Sequence, residues 1–239
     1  MMKILIVNDD SITAPGIAKL AKAASCLGEV WVVAPEEQCS ALSQKLTLRE
    51  QLTVRKVEDF PVEVAGAYAL GGTPVDCVKV ALVHILKEQP DYIFSGINNG
   101  YNAGFDIAYS GTLGAAFEGA RSGIPSMAFS AAGDAHLDAA EHYLLPVIRE
   151  LLEEKLEPGM VWNVNFPALK NRPLMGILRD RPVATVSMYQ ETYIESIQPD
   201  GSVCLNCHGI PTPDSMVPAG TDVEAVRQGY ISIGKVRAF

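Results

Sequence analysis

Two carboxylates stand side by side at Asp9 and Asp10, directly behind the apolar run Ile4-Leu5-Ile6-Val7 and the amide of Asn8. Adjacent acids repel one another, and a hard divalent cation with oxygen ligands relieves that repulsion. The same residue types also favour a helix start, so residues 8–11 read alternatively as a cap. Two further segments carry similar oxygen chemistry. A polar loop over 36–43 holds Ser40 and Ser43, and Gly96-Ile97-Asn98-Asn99-Gly100 holds two side-chain amides. Two carboxylates, a hydroxyl and an amide carbonyl make an all-oxygen set suited to Mg²⁺ or Mn²⁺. No histidine falls in these loops, which argues against zinc. Ser110-Gly111-Thr112 opens a helical stretch of small residues, where free amides, the helix dipole and two hydroxyls favour an anion. Read alone, that tripeptide is a helix cap. A metal facing a phosphate pocket reads as metal-assisted phosphoryl hydrolysis, with Asp9 or Asp10 orienting the attacking water.

These residues need elements to bring them together. The run over 4–7 predicts a strand buried on both faces, as in a parallel sheet. Helical periodicity follows over 15–27, with Pro15 in the first turn and Gly28 as the stop. Residues 30–34 predict a second strand, and 45–54 alternate as a half-exposed strand would. Gly71-Gly72-Thr73-Pro74 opens a helix over 75–86, and 91–95 form another strand before a Gly- and Asn-rich loop that runs to 109. A helix from 110 to about 123, a strand over 126–130 and a helical pattern over 136–155 come next; Pro146 predicts a kink or two helices there. Residues 161–166 form a last core strand. The order is that of an α/β chain with a Rossmann-like, doubly wound, mostly parallel sheet. Parallel strands put their carboxyl ends on one edge, so the three oxygen-bearing segments converge there. Beyond about 157 the texture changes. Alternation over 176–207, broken by Pro and Gly, suggests a β-hairpin arm that serves oligomerisation. A helical turn over 221–226 and a closing strand over 229–233 return to the core. The expected organisation is a catalytic core over 1–170 and an extension over 171–239 within one domain.

The chain has 239 residues and a net charge of −9, with no long basic run, so extended nucleic acid is not an expected partner. No apolar run reaches the length of a membrane span. The start of the chain lacks a signal-peptide layout, and a cytoplasmic location is expected. Five cysteines, an odd number, fit a reducing compartment. Cys204-Leu-Asn-Cys207-His208 has the spacing of a haem attachment, but incidental cysteines in a hairpin account for it better. His84, His136, His142 and His208 are not expected to carry chemistry.

Seven motifs occur in the order found in the SurE family: Asn8-Asp9-Asp10; Ala34-Pro35 with Ser40; Gly72-Thr73-Pro74-Val75-Asp76-Cys77-Val78; Ser95-Gly96-Ile97-Asn98; Tyr109-Ser110-Gly111-Thr112; Asn163-Val164-Asn165-Phe166-Pro167; and Gly220-Thr221-Asp222. The chain resembles that family over nearly its whole length. The resemblance implies a metal-dependent 5′/3′-nucleotidase acting on nucleoside monophosphates, with polyphosphate as a side substrate. It implies a swapped C-terminal arm and a homodimer or homotetramer. It implies one divalent ion per subunit on Asp9, Asp10, Ser40 and Asn98, with Asp9 and Asp10 also catalytic. The substrate side then comprises Asn8, Asn99, Ser110, Gly111 and Thr112. Three positions depart from the pattern: Ser11 replaces a glycine, Cys39 replaces an arginine, and Ile233-Gly234-Lys235 replaces a Thr-Pro ending. Two other readings of an acidic strand end are a receiver-type Mg²⁺ module and an aspartyl-phosphate (haloacid-dehalogenase-like) phosphatase. The first lacks an evident phosphoacceptor Asp and terminal Lys, and the second uses acids spaced Asp-x-Asp rather than adjacent ones.

Overall fold

The apolar residues at the start of the chain form β1 (Met2–Val7), whose last four side chains are fully buried. A computed structural model describes residues 1–133, 137–169 and 172–238. β1 pairs in parallel with β2 (Gly28–Pro35) on one side and β5 (Tyr92–Asn99) on the other. Outside β2 lie β4 (Gly66–Leu70), parallel to it, and β3 (Val54–Lys56), antiparallel to β4. Outside β5, β6 (Ser126–Ala131) and β7 (Met160–Phe166) continue the parallel run. The sheet is completed by β11 (Tyr230–Arg237), antiparallel to β7, and β8 (Gly176–Leu178), parallel to β11. The chain thus winds outward from β1 in both directions, and the switch point lies between β1 and β5.

Helices cover both faces. α1 (Pro15–Ala24) and α4 (Asp138–Leu152) pack on one face around Ile4, Ile6, Phe94 and Phe129. On the other face, α2 (Pro74–Val80) helps bury Leu5, Val7 and Val33, and α3 (Gly111–Arg121) lies beside α2. α5 (Asp222–Arg227) precedes β11. The remaining strands, β9 (Tyr189–Ile197) and β10 (Val203–Pro211), form a separate antiparallel hairpin.

Several boundaries differ from the sequence expectation. Residues 45–53 form no strand; Thr73 Oγ1 donates to the Lys45 carbonyl, and Thr47 donates twice to Asp76, so side chains of α2 replace a ladder. β4 had no counterpart in the sequence reading. The helix over 75–86 stops as α-helix at Val80 and continues as a π-turn, Ala81–Ile85. Gly28 opens β2 rather than ending α1, because a side chain there would strike the Met2 carbonyl at 2.0 Å. Pro146 sits inside one continuous α4, on its solvent-exposed side. The stretch over 176–207 is not a single arm, since β8 joins the main sheet and the hairpin begins at Tyr189.

Candidate active site

β1, β2 and β5 are adjacent and parallel, so the segments following them share one edge. Asp9 and Asp10 follow β1, and the chain between them and α1 is tight. Ile12 N–H donates to the Pro35 carbonyl at 2.9 Å, and Ser11 has φ +98°. That backbone region suits glycine, and Ser11 occupies it under strain. Asn8 is fully buried, and its amide donates to the Ser11 carbonyl at 2.7 Å. Asn8 therefore holds the turn from behind, and its other atom, Oδ1, is buried without a partner among the described residues.

The two acids reach different neighbours. Asp9 points to the start of α3, where Thr112 Oγ1 donates to its Oδ1 at 2.6 Å. Gly111 lies so close that a Cβ there would stand 2.9 Å from both Asp9 Cβ and Oδ2. Burial pushes the Asp9 carboxyl up to about 6; the Thr112 hydroxyl holds it down, the Asp10 charge raises it further, and the backbone amides of Asp9 and Thr112 also hold it down. Among the described residues no lysine or arginine forms a salt bridge with Asp9. Asp10 points sideways. Its Oδ2 accepts the Asn99 backbone N–H at 2.7 Å, and its Oδ1 accepts from Gln38 Nε2 at 3.3 Å.

The other expected residues lie around these acids. Cys39 N–H donates to the Asp9 carbonyl at 2.7 Å, which pins the exposed Ser40 beside the end of β1. The Cys39 thiol, where the family pattern has an arginine, lies against the carbonyls of Glu37 and Gly72. Asn98 and Asn99 close β5 rather than belonging to a loop, beyond a register shift between Ser95 and Asn98. Asn98 Nδ2 donates to the Gly100 carbonyl at 2.8 Å, leaving its Oδ1 for another partner. Ser110 caps α3, its Oγ accepting from Leu113 N–H at 3.0 Å while its own proton is left to donate. Thr112 is fully buried, and its hydroxyl serves Asp9.

Sequence reasoning assigned no role to the residues that hold these loops, although Thr73, Asp76, Asn163 and Asn165 stand in the motifs above. Gln38 braces Asp10. Asp76 joins a capping box with Thr73 and anchors the loop after Ser40 through Thr47; the Thr-x-x-Asp spacing was the available signal. Asn102 is locked in a buried amide cluster, accepting from Asn163 and Asn165 and donating to Asn165 and Ser130. The Asn-x-Asn pattern on β7, two side chains on one face, was its signal. Of the histidines, His84 and His208 are exposed, and His142 Nδ1 lies 2.8 Å from the Asp138 carbonyl; His136 lies outside the described residues. Cys204 and Cys207 are three apart on β10 and so point to opposite faces. Among the described residues no cluster of three or more His, Cys, Asp and Glu side chains is placed to hold a metal. The oxygen set proposed from sequence contains only two such residues.

Comparison with known proteins agrees with the motifs. The family model described as Survival protein SurE matches residues 4–190. The protein named 5′-nucleotidase SurE 1 from Thermus thermophilus is 40% identical over 238 residues, covering 98% of this chain and 91% of that one. The 5′-nucleotidase SurE of Aeromonas hydrophila is 38% identical over 236 residues, covering 97% and 90%. The crystal structure of the SurE protein from Aquifex aeolicus superposes with a TM-score of 0.84 at 34% identity, covering 99% of this chain and 94% of that one. The chain belongs to the SurE family.

Proposed function

We propose that this protein is a 5′-nucleotidase that releases phosphate from nucleoside monophosphates at the edge formed by β1, β2, β5 and α3. The observation that carries the reading is the position of Asp9. Its carboxylate is buried and lacks a salt bridge among the described residues, yet it lies against the N-terminus of a helix suited to an anion. The names of the relatives from Thermus and Aeromonas support the same substrate class.

The donor set fits a hard divalent cation, Mg²⁺ or Mn²⁺, held by Asp9, Asp10, Ser40 and Asn98, since all four offer oxygen and Asp9 is short of positive charge. Such an ion, when bound, supplies an acidified water and draws charge from the phosphoryl oxygens. The protein's own groups do the positioning. Ser110 has a hydroxyl proton to give to a phosphate oxygen, and the bare Cα of Gly111 lets Asp9 come close to the start of α3. Thr112 keeps Asp9 oriented, and the Asn99 amide keeps Asp10 oriented. Activity on 3′-monophosphates and polyphosphate belongs to the same proposal, as does a cytoplasmic location. So does a homodimer or homotetramer built through the arm. Nearly every residue of β9 and β10 is exposed, including Tyr193, Ile194, Ile197, Val203 and Leu205. A lone two-stranded hairpin is marginal in water, so a second copy is its expected cover.

The test is phosphate release from AMP, GMP and 3′-AMP with added Mg²⁺ or Mn²⁺. Turnover abolished by EDTA and restored by the ion is expected. Turnover that EDTA leaves intact would remove the cation from the mechanism, and no release from any mononucleotide would remove the substrate class.

A further inference from the structure

The loop that leads into Ser110-Gly111-Thr112 is tied to the base of the projecting hairpin. Residues 184–188 run alongside the 3₁₀ segment Gly104–Tyr109. Phe105 N–H donates to the Val186 carbonyl at 3.0 Å, and a Cβ on Gly104 would strike that carbonyl at 2.1 Å. Asp222 receives Gly104 N–H on one oxygen at 3.0 Å and Ala184 N–H on the other at 2.8 Å. Asp106 accepts the Met188 N–H at 2.9 Å, and Met188 immediately precedes Tyr189, the first residue of the arm. The returning strand is gathered at the same place: Thr212 N–H donates to the Met188 carbonyl, and Arg227 donates to the carbonyls of both. At its far end the loop is held by Ser43 N–H, which donates to the Tyr109 carbonyl at 3.0 Å.

We propose that Asp106 is a positioning residue for phosphate binding: its bond to Met188 latches the loop before Ser110 to the root of the β9–β10 arm, so that substrate affinity follows how the root is seated. This rests on the nucleotidase reading above. Asp106 itself does not reach the acids of the site. Its carboxylate lies four residues before Ser110, with Met188 as its partner. Loss of the latch lets the loop sample positions from which it must be drawn back on binding. That cost falls on the ground state and the transition state alike, so it raises KM rather than lowering kcat.

The test compares Asp106→Ala with Asp106→Asn in the full-length protein. Asp106→Ala is expected to raise KM for AMP about three- to tenfold, the range for losing one ordinary hydrogen bond at a part-buried site, with kcat within about twofold of wild type. The inhibition constant of inorganic phosphate should weaken by the same factor. Asp106→Asn keeps a carbonyl oxygen for Met188 and should restore both values to near wild type. An unchanged KM in Asp106→Ala overturns the latch. So does an Asn variant as weak as the Ala variant, which would assign the effect to charge rather than to the bond. If the wild-type protein hydrolyses no mononucleotide, the nucleotidase reading fails instead. Calorimetric titration of phosphate into wild type and Asp106→Ala then still decides the latch, with equal affinities refuting it.

Discussion

Gly111→Ala is the most informative single change at this site. Gly111 has an ordinary helical backbone, so space alone decides the outcome. An added Cβ would sit 2.9 Å from Asp9 Cβ and Oδ2 and 3.3 Å from Cγ. Carbon–carbon contacts are comfortable at about 3.5–4.0 Å, so Asp9 and the start of α3 must separate by roughly 0.6 Å. The crowding begins at Cβ, which is fixed to the backbone, so a swing of the carboxylate cannot relieve it. Functional groups tolerate displacements of about 0.5 Å, and a misplacement of 1 Å costs on the order of 10²-fold in rate. The expected loss in kcat/KM for AMP is therefore about 10- to 100-fold, equal to roughly 1.4–2.7 kcal/mol of transition-state stabilisation. Stability should fall by about 1–3 kcal/mol, the usual cost of forcing an extra methyl group into a packed site. The assay pairs steady-state kinetics at saturating Mn²⁺ with thermal melts followed by circular dichroism. A variant that melts like the wild type and keeps kcat/KM within about twofold would show that Asp9 need not touch α3, and the proposed placement of cation beside phosphate would fall with it.

Two further expectations concern the turn after β1. The Asp9 carboxyl is raised from 3.8 to about 6 in the folded protein, so the fold binds its proton more tightly than the unfolded chain does. That stabilisation is complete below about pH 3.8 and is lost as pH rises to about 6, a swing of about 3 kcal/mol. In EDTA, Asp9→Asn should therefore unfold at higher urea than wild type at pH 7.5, the gap closing toward pH 4; a gap independent of pH would contradict the burial argument. Assayed separately with Mg²⁺ or Mn²⁺ added, the variant should lose most turnover. Ser11→Gly should stabilise the protein by about 1 kcal/mol, because relief of the strain at φ +98°, about 1–3 kcal/mol, exceeds the added freedom of the unfolded chain, about 0.4–1 kcal/mol. A lower melting temperature would show that the Ser11–Thr13 hydroxyl contact at 3.0 Å matters more than the strain.

The parallel core was legible because its strands are written in continuous apolar residues. Ile4 to Val7, Val30 to Ala34 and Ile93-Phe94 state their burial directly. β4 was not, since Gly66-Ala67-Tyr68-Ala69-Leu70 is short and poor in β-branched residues; only its place beside β2 makes it a strand. Residues 45–53 misled for the opposite reason. Their alternation is real, but the polar members answer to Asp76 and Thr73 on α2 rather than to a neighbouring strand. Among the site residues, the types and their convergence on one edge could be read from the order of elements. The division of labour could not. That Thr112 serves Asp9, and that Asn8 supports Ser11, depends on contacts whose direction no spacing encodes.

The adjacency of Asp9 and Asp10 looked costly in sequence, and the fold explains how it is tolerated. Asp9 and Asp10 lie in a bend two residues beyond the end of β1, where the chain turns out of the sheet. One carboxylate drops onto α3 and the other crosses the switch point to β5, so each collects its own donors: Thr112 for Asp9, and Asn99 with Gln38 for Asp10. The compensation is unequal. Asp10 remains partly open to solvent, whereas Asp9 is buried and its ionised form stays disfavoured despite three groups that hold it down. A fold selected for stability alone would place an apolar or amide side chain at residue 9. The Asp9 carboxylate stays under-compensated among the described residues, and that imbalance is the ground for proposing a cation beside it.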